Sequence, residues 1–208
     1  MITPKLLLDT LNSVPKKFAK NELAYLSLTG AIEHPFRDKW AFILYKKLFN
    51  RGFIVSREWN KRDLVILRNQ SNSKPEPKVL IELKLMYTSD AQTEKSRAKF
   101  IQKLKDDEKK AKKAQKMAVQ NCDIYLVLLM VNPCKPIEEK YGGIIKYHKK
   151  INSALKKHIT PKEVKKNAIR EIQSCFKKAK FIRPRFSKCG IGKAFGVEAE
   201  LLYWLIKR

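Results

Sequence analysis

Negative charge is scarce in this chain: 20 Asp and Glu stand against 46 Lys and Arg in 208 residues, leaving a formal charge of +26. An excess of that size is far beyond what solubility needs and implies a polyanionic partner, with nucleic acid the leading candidate. Composition does not separate DNA from RNA, but no RNA-recognition signature with paired aromatics is present. Cysteine and histidine are also sparse. Cys122, Cys134, Cys175 and Cys189 form no CxxC pair, and His34, His148 and His158 are equally scattered. Neither a disulfide framework nor a structural zinc site is expected from such spacing.

Long apolar runs are missing as well. Leu6 to Leu8 is too short for a signal core, and the longest run, Ile124 to Val131, falls far below the length of a spanning helix. A cytoplasmic protein without a membrane segment is expected. No linker divides the chain, so residues 1–208 read as a single domain. The stretch Gly190 to Gly196 lacks the Walker A spacing and the Ser or Thr after Gly-Lys, so no nucleotide cofactor is expected.

What the chain does have is a pair of apolar runs with charge at defined places. Arg62-Asp63-Leu64-Val65-Ile66-Leu67 opens with an acid, and Val79-Leu80-Ile81-Glu82-Leu83-Lys84 carries Glu-x-Lys within it. Side chains alternate along a strand, so Glu82 and Lys84 share one face while Ile81, Leu83 and Leu85 fill the other. Charges set among Val, Leu and Ile need partners, because burying an unpaired ion is costly. Asp63 is the natural partner. The segment Asn69 to Pro77 has turn composition and joins the two runs as an antiparallel hairpin. Folding about Ser73 places Asp63 opposite Leu83, and a one-residue offset in register puts both acids on one face. Two carboxylates and an ammonium converging in this way suit Mg²⁺ or Mn²⁺, with Lys84 placed to orient or deprotonate an attacking water.

On Asp63, Glu82 and Lys84 the chain resembles the PD-(D/E)xK nuclease superfamily over roughly Ile32 to Val131, with Arg62 standing where the motif has proline. The resemblance implies an α/β fold with a restriction endonuclease-like αβββαβ core and a mixed central sheet flanked by helices. It implies Asp63 and Glu82 as metal ligands together with Leu83 between Glu82 and Lys84, Lys84 as the residue that positions the nucleophile, and Mg²⁺ as cofactor, with Mn²⁺ able to substitute. In that family a glutamate of the first core helix often reaches the metal site, which makes Glu33 a fourth candidate. The implied activity is endonucleolytic hydrolysis of DNA. A Type II-like restriction endonuclease acting on duplex DNA as a homodimer is the first choice, because the basic additions at 134–208 exceed a minimal resolvase. A Holliday junction resolvase or repair nuclease of the same fold, and a non-catalytic nucleic-acid binder, remain alternatives.

The rest of the chain is read by periodicity. Two short helical pieces separated near Val14-Pro15 occupy the first thirty residues, and Phe36, Trp40, Ile43, Leu44 and Leu48 mark a stronger helix ending before Gly52. Pro35 leaves two readings of Glu33 open: an acid directed to the metal site, or an acid at a helix N-terminus that starts at position 35. Arg37 is read as a solvated helix residue first, or as a partner of an acid or a phosphate. Phe53 to Trp59 is expected as a strand. Thr93 to about Gln120 is expected as a helix with Ala98, Ile101, Leu104, Ala111, Ala114 and Met117 inward, capped by Asp90 or Thr93, and with Asp106, Asp107 and Glu108 balanced by helical ion pairs. Lys99 and Lys103 on its first turns are candidates for phosphate contacts, against a reading as solvated surface. Asp123 to Val131 is expected as a buried parallel strand. Tyr141 to His158 and Pro161 to Lys180 read as two amphipathic helices, followed by a strand, a glycine-bearing loop from Cys189 to Gly196 and a terminal strand, with a helix as the alternative for the apolar end Leu201 to Ile206. Arg183, Arg185, Lys188 and Lys193 around that loop either track a nucleic-acid backbone or belong to an ordinary hairpin.

Overall fold

The computed structural model describes residues 2–70, 74–118, 122–157, 160–181 and 183–208, without the side chains of 111, 114–118, 156 and 157. It opens on three helices, α1 (Pro4–Ser13), α2 (Glu22–Thr29) and α3 (Glu33–Leu48). The Thr3 hydroxyl caps α1 by accepting from the Leu6 N–H at 3.1 Å, and Pro4 follows at a position where an N–H has no helical acceptor anyway. The break at Val14-Pro15 falls where the sequence places it. Helix α3 starts at Glu33, not at Pro35, because the proline lies inside the first turn and so removes an N–H that the helix does not use.

Six strands follow among the described residues: β1 (Phe53–Arg57), β2 (Leu64–Arg68), β3 (Glu76–Tyr87), β4 (Asp123–Pro133), β5 (Arg185–Ala194) and β6 (Val197–Lys207). They form one mixed sheet in the order β1-β2-β3-β4-β6-β5, in which only β3 and β4 run parallel. A parallel pair needs a crossover, and α4 (Glu94–Ala118) supplies it. Helices α5 (His148–Lys157) and α6 (Pro161–Lys178) lie between β4 and β5, and Thr160 with Glu163 closes a capping box at the start of α6.

The sheet is covered on both faces. Ile81, Leu83, Val127 and Leu129 pack with Leu7, Phe36 and Trp40 on one side. Leu126, Leu128 and Trp204 pack with Leu104, Ile172 and Phe176 on the other. Strand β4 is buried from Ile124 to Pro133 and is paired on both edges, by β3 and by β6. The chain after Pro133 is therefore no appendage: β6 completes the sheet at its most apolar strand.

Several expectations are corrected. Trp59 is not in β1; it opens a turn in which Glu58, Asn60 and Lys61 all take positive φ. Ala98 is exposed, and Arg37 is not solvated but takes its other reading, pairing with acids: it is 5% exposed and lies 2.9 Å from both Asp38 and Glu58. Tyr141 to Tyr147 is a run of turns around Gly142-Gly143, so Ile144 is 55% exposed where a helix would have turned it inward. The expected loop from Cys189 to Gly196 is mostly strand. Phe195 and Gly196, both at positive φ, make a two-residue hairpin turn, and Ile191 is the bulged residue that points into the core. Ser73, Gln120, His158 and Ile182, and the side chains of Ala111, Ala114 and Met117, lie outside the described residues.

Candidate active site

The site originates in a mismatch of strand lengths. Strand β2 pairs with β3 only as far as Leu64 opposite Ile81, whereas β3 runs on to Tyr87. Beyond that point the alternate N–H groups of β3 that would have faced β2 lack a strand partner, and unpaired buried backbone is costly. Carboxylates take them in turn. The Leu83 N–H donates to Asp63 Oδ2 at 2.8 Å, the Leu85 N–H to Glu33 Oε1 at 2.7 Å, and the Tyr87 N–H to Asp90 Oδ2 at 2.7 Å. Each is a hydrogen bond to an ion, worth about 1.5–3 kcal/mol. Asp90 thus serves the strand edge and not the N-terminus of α4, where the Thr93 hydroxyl accepts from Ser96.

Register brings Asp63 and Glu82 together. On the loop side Leu67 faces Pro77 and Arg68 faces Glu76, while beyond a bulge Ile66 faces Val79 and Leu64 faces Ile81. Continued by one residue, this second register sets Asp63 opposite Glu82, which is the one-residue offset the sequence required. The bulge falls at Pro77-Lys78, next to a residue with no N–H to give the ladder. On the other side Asp63 is held by the tight turn after β1, where the Glu58 N–H donates to the Asp63 carbonyl at 3.2 Å.

Glu82 and Lys84 face α4. Glu82 is 5% exposed, and its Oε1 accepts from Arg62 Nη1 at 3.2 Å, while Arg62 Nη2 reaches the Lys110 carbonyl at 2.7 Å. Burial, joined by the negative charge of Asp63 and Asp107, pushes the Glu82 carboxyl up to about 7, and Arg62 only partly opposes this. The Lys84 ammonium lies 2.9 Å from Asp107 Oδ2. Burial pulls the lysine down, but Asp107, Asp63 and Glu33 together outweigh it and hold Lys84 above the ordinary value. Lys84 is therefore protonated at neutral pH, which suits orientation and charge stabilisation and not proton abstraction.

Asp63, Glu82, Lys84 and Glu33 are thus brought together on β3 and its open edge. Arg62 and Asp107 belong with them and were not singled out from the sequence. Arg62 looked like a departure from a motif, and Asp107 like one of three acids balanced along a helix. Asp107 is 7% exposed, and Lys110, its neighbour at i+3, contacts it only at 3.6 Å. The only sequence signal was position, since Asp107 follows Leu104 on the inward stripe of α4.

A cleft of about 420 Å³ opens beside the site, lined by Glu33, Lys84 and Leu85 and by Lys99 and Lys103 of α4. An adjoining hollow of about 340 Å³ shares Glu33, Lys84 and Lys103 and adds Asp106, Asp107 and Lys110. The basic residues near the C-terminus are elsewhere. Arg183 and Arg185 line a separate pocket with Tyr125 and Lys207, and Lys188 and Lys193 lie on β5, the outermost strand, with β4 and β6 between it and β3. Lys193 does not sit on a free loop: its N–H donates to Asn21 Oδ1 at 2.9 Å, and Gly192 approaches Asn21 so closely that a Cβ would lie 2.6 Å from that oxygen.

Among the described residues, no group of three or more histidine, cysteine, aspartate and glutamate side chains is arranged to hold a metal ion. None of the described helices is long and apolar enough to cross a membrane. No protein-family model, curated protein or solved structure matches the chain.

Proposed function

We propose that this chain is a metal-dependent endonuclease of the PD-(D/E)xK type that hydrolyses phosphodiester bonds in DNA, with the segment from α3 to β4 as its αβββαβ core. The observation that carries the reading is the convergence of Asp63, Glu82 and Lys84 on one short stretch of β3, with Lys84 also lining a lysine-rich cleft. Four features support it: the acids are crowded enough to raise Glu82, the lysine stays charged, the helix glutamate Glu33 reaches the same strand, and the net charge suits a polyanion.

The donor set fits a hard cation. Asp63 and Glu82 offer carboxylate oxygens, and the Leu83 carbonyl faces the same edge as its N–H, because both groups of a strand residue point to one side. With two carboxylates and one carbonyl, Asp63, Glu82 and Leu83 would hold Mg²⁺ or Mn²⁺. The bound ion supplies charge neutralisation at the phosphate and a lowered pKa for its water. Lys84 then orients the attacking water and stabilises charge developing on the phosphate oxygens, and Asp107 fixes its ammonium. Glu33 and Asp63 keep the strand edge in place while they do so.

Incubating the protein with Mg²⁺ and plasmid, linear and branched DNA tests the reading. Cleavage is expected for the wild type, and Lys84→Ala is expected to lower it by about a hundredfold or more. If wild type and Lys84→Ala behave identically on every substrate, the catalytic assignment fails. A Type II-like homodimer cutting duplex and a nuclease of branched or damaged DNA are two versions of this proposal, and the same substrates with sedimentation of the protein separate them.

A further inference from the structure

The far wall of the cleft is built by the turns before α5 and by the first turn of α5 itself. Lys146, Tyr147 and Lys150 face Lys84, Lys99 and Lys103 across it. The wall is firmly held: Ile145 is buried, the Lys146 N–H donates to the Leu28 carbonyl at 2.9 Å, and Lys150 pairs with Asp90. On this support Tyr147 has a backbone φ of 64°, uncommon for a side chain of its size, and the residue remains 51% exposed. The ring stands at 69° to Tyr87 with centroids 5.4 Å apart, and the Lys146 ammonium lies 5.3 Å from its centre. Phe100, with the Lys103 ammonium 5.2 Å from its ring, adds a second aromatic to the lining.

Tyr147 is an exposed aromatic held in the left-handed region, beside ammonium groups and in a cleft that runs to Lys84, and its edge contact with Tyr87 leaves half of the residue open to solvent. Conformations of this kind persist where the surroundings enforce them, and they cluster at binding sites. Alternating basic and aromatic groups are the chemistry that receives a phosphate and an unstacked base. Size sets the class of substrate. A cavity of about 420 Å³ is in the range that encloses a small ligand, and one nucleotide is of that size.

We infer that the cleft between α4 and the turns before α5 binds a single unpaired nucleotide of the DNA, with its base on Tyr147 and its phosphate toward Lys84, Lys99 and Lys103. This rests on the nuclease reading and narrows its substrate: the strand to be cut enters unpaired, as a single strand, an overhang or a flap. Tyr147, from the part of the chain outside the proposed core, then supplies the surface that an unpaired base would occupy.

Binding measured without cleavage tests the inference. Fluorescence anisotropy in EDTA would compare a labelled single strand, a duplex with an unpaired overhang and a blunt duplex. The wild type is expected to prefer the two unpaired DNAs. Tyr147→Ala and Tyr147→Gly are expected to weaken those two by roughly 5- to 150-fold, the value of one stacked base, and to leave the blunt duplex within about twofold. Tyr147→Trp is expected to retain the preference. Glycine adopts positive φ without strain, so Tyr147→Gly removes the ring while favouring the turn, and its circular dichroism is expected to match the wild type. Equal weakening on all three DNAs, no weakening, or a wild type that binds blunt duplex as tightly as single strand overturns the inference. Absence of cleavage in Mg²⁺ with the binding pattern intact would instead strike only the nuclease reading.

Discussion

Replacing Glu82 with glutamine should make the protein more stable relative to wild type as the pH rises. The carboxyl titrates at about 7 in the folded chain against an ordinary 4.5, chiefly because it is buried. Between those values the folded state holds a proton that the unfolded state has released. Folding is therefore favoured by acid: the wild-type contribution is complete below 4.5, is lost as pH rises to about 7, and does not change further above it. At 1.36 kcal/mol per pH interval, the full loss is about 3 kcal/mol. Glutamine mimics the protonated acid at every pH and escapes that loss. The attraction of Arg62 for the ionised acid is already contained in the value of about 7, so it adds no further pH dependence to the comparison. Urea unfolding in EDTA at pH 5 and pH 8 gives the quantity needed. The stability of Glu82→Gln minus that of wild type should rise by about 2 to 3 kcal/mol between them. Mg²⁺ should stabilise the wild type at pH 8 and should stabilise Glu82→Gln less, because the cation selects the ionised acid. A difference that is flat with pH would refute the reasoning, since it would mean that Glu82 is ionised throughout.

The Lys84–Asp107 pair is mostly buried, with side chains 25% and 9% exposed. Asp107→Asn should therefore cost about 1 to 3 kcal/mol, below the range for fully buried pairs, and a double-mutant cycle with Lys84→Met should return a coupling of at least about 1 kcal/mol; additive effects would remove Asp107 from the site. Gly192→Ala should destabilise by about 2 to 4 kcal/mol in thermal or urea unfolding, because φ is 100° and the new Cβ would lie 2.9 Å from the Asn21 Cα; a neutral result would show that the bulge can shift. Thr160→Ala should cost about 1 kcal/mol through loss of the capping box on α6, measured by the same unfolding assay, and no loss would mean that another group serves the cap.

How much of this was legible depends on the range of the interaction. Strand β4 announced itself as an uninterrupted apolar run, and Glu82 and Lys84 declared their shared face through the two-residue period, because both signals are local. The bulged hairpin of β5 and β6 is obscured because its loop-like spacing is overruled by the pairing of β6 with β4, and the Gly142-Gly143 turns because the Lys146 N–H is taken by the Leu28 carbonyl of α2. Glu33 was left between two readings because the decision lies not in its own helix but in the Leu85 N–H, far along the chain.

From the sequence alone come the mixed α/β pattern, the excess of positive charge and the trio Asp63, Glu82 and Lys84, all of which follow from composition and strand period. Only the tertiary structure decided that β2 ends before β3 does. That difference in length leaves the N–H groups of Leu83, Leu85 and Tyr87 to be taken by Asp63, Glu33 and Asp90, and it draws the acids to one edge. It also decided that Arg62 and Asp107 complete the site and that Tyr147 faces its cleft. These contacts join residues distant in sequence, and a buried charge finds its partner only once the elements that carry it have packed.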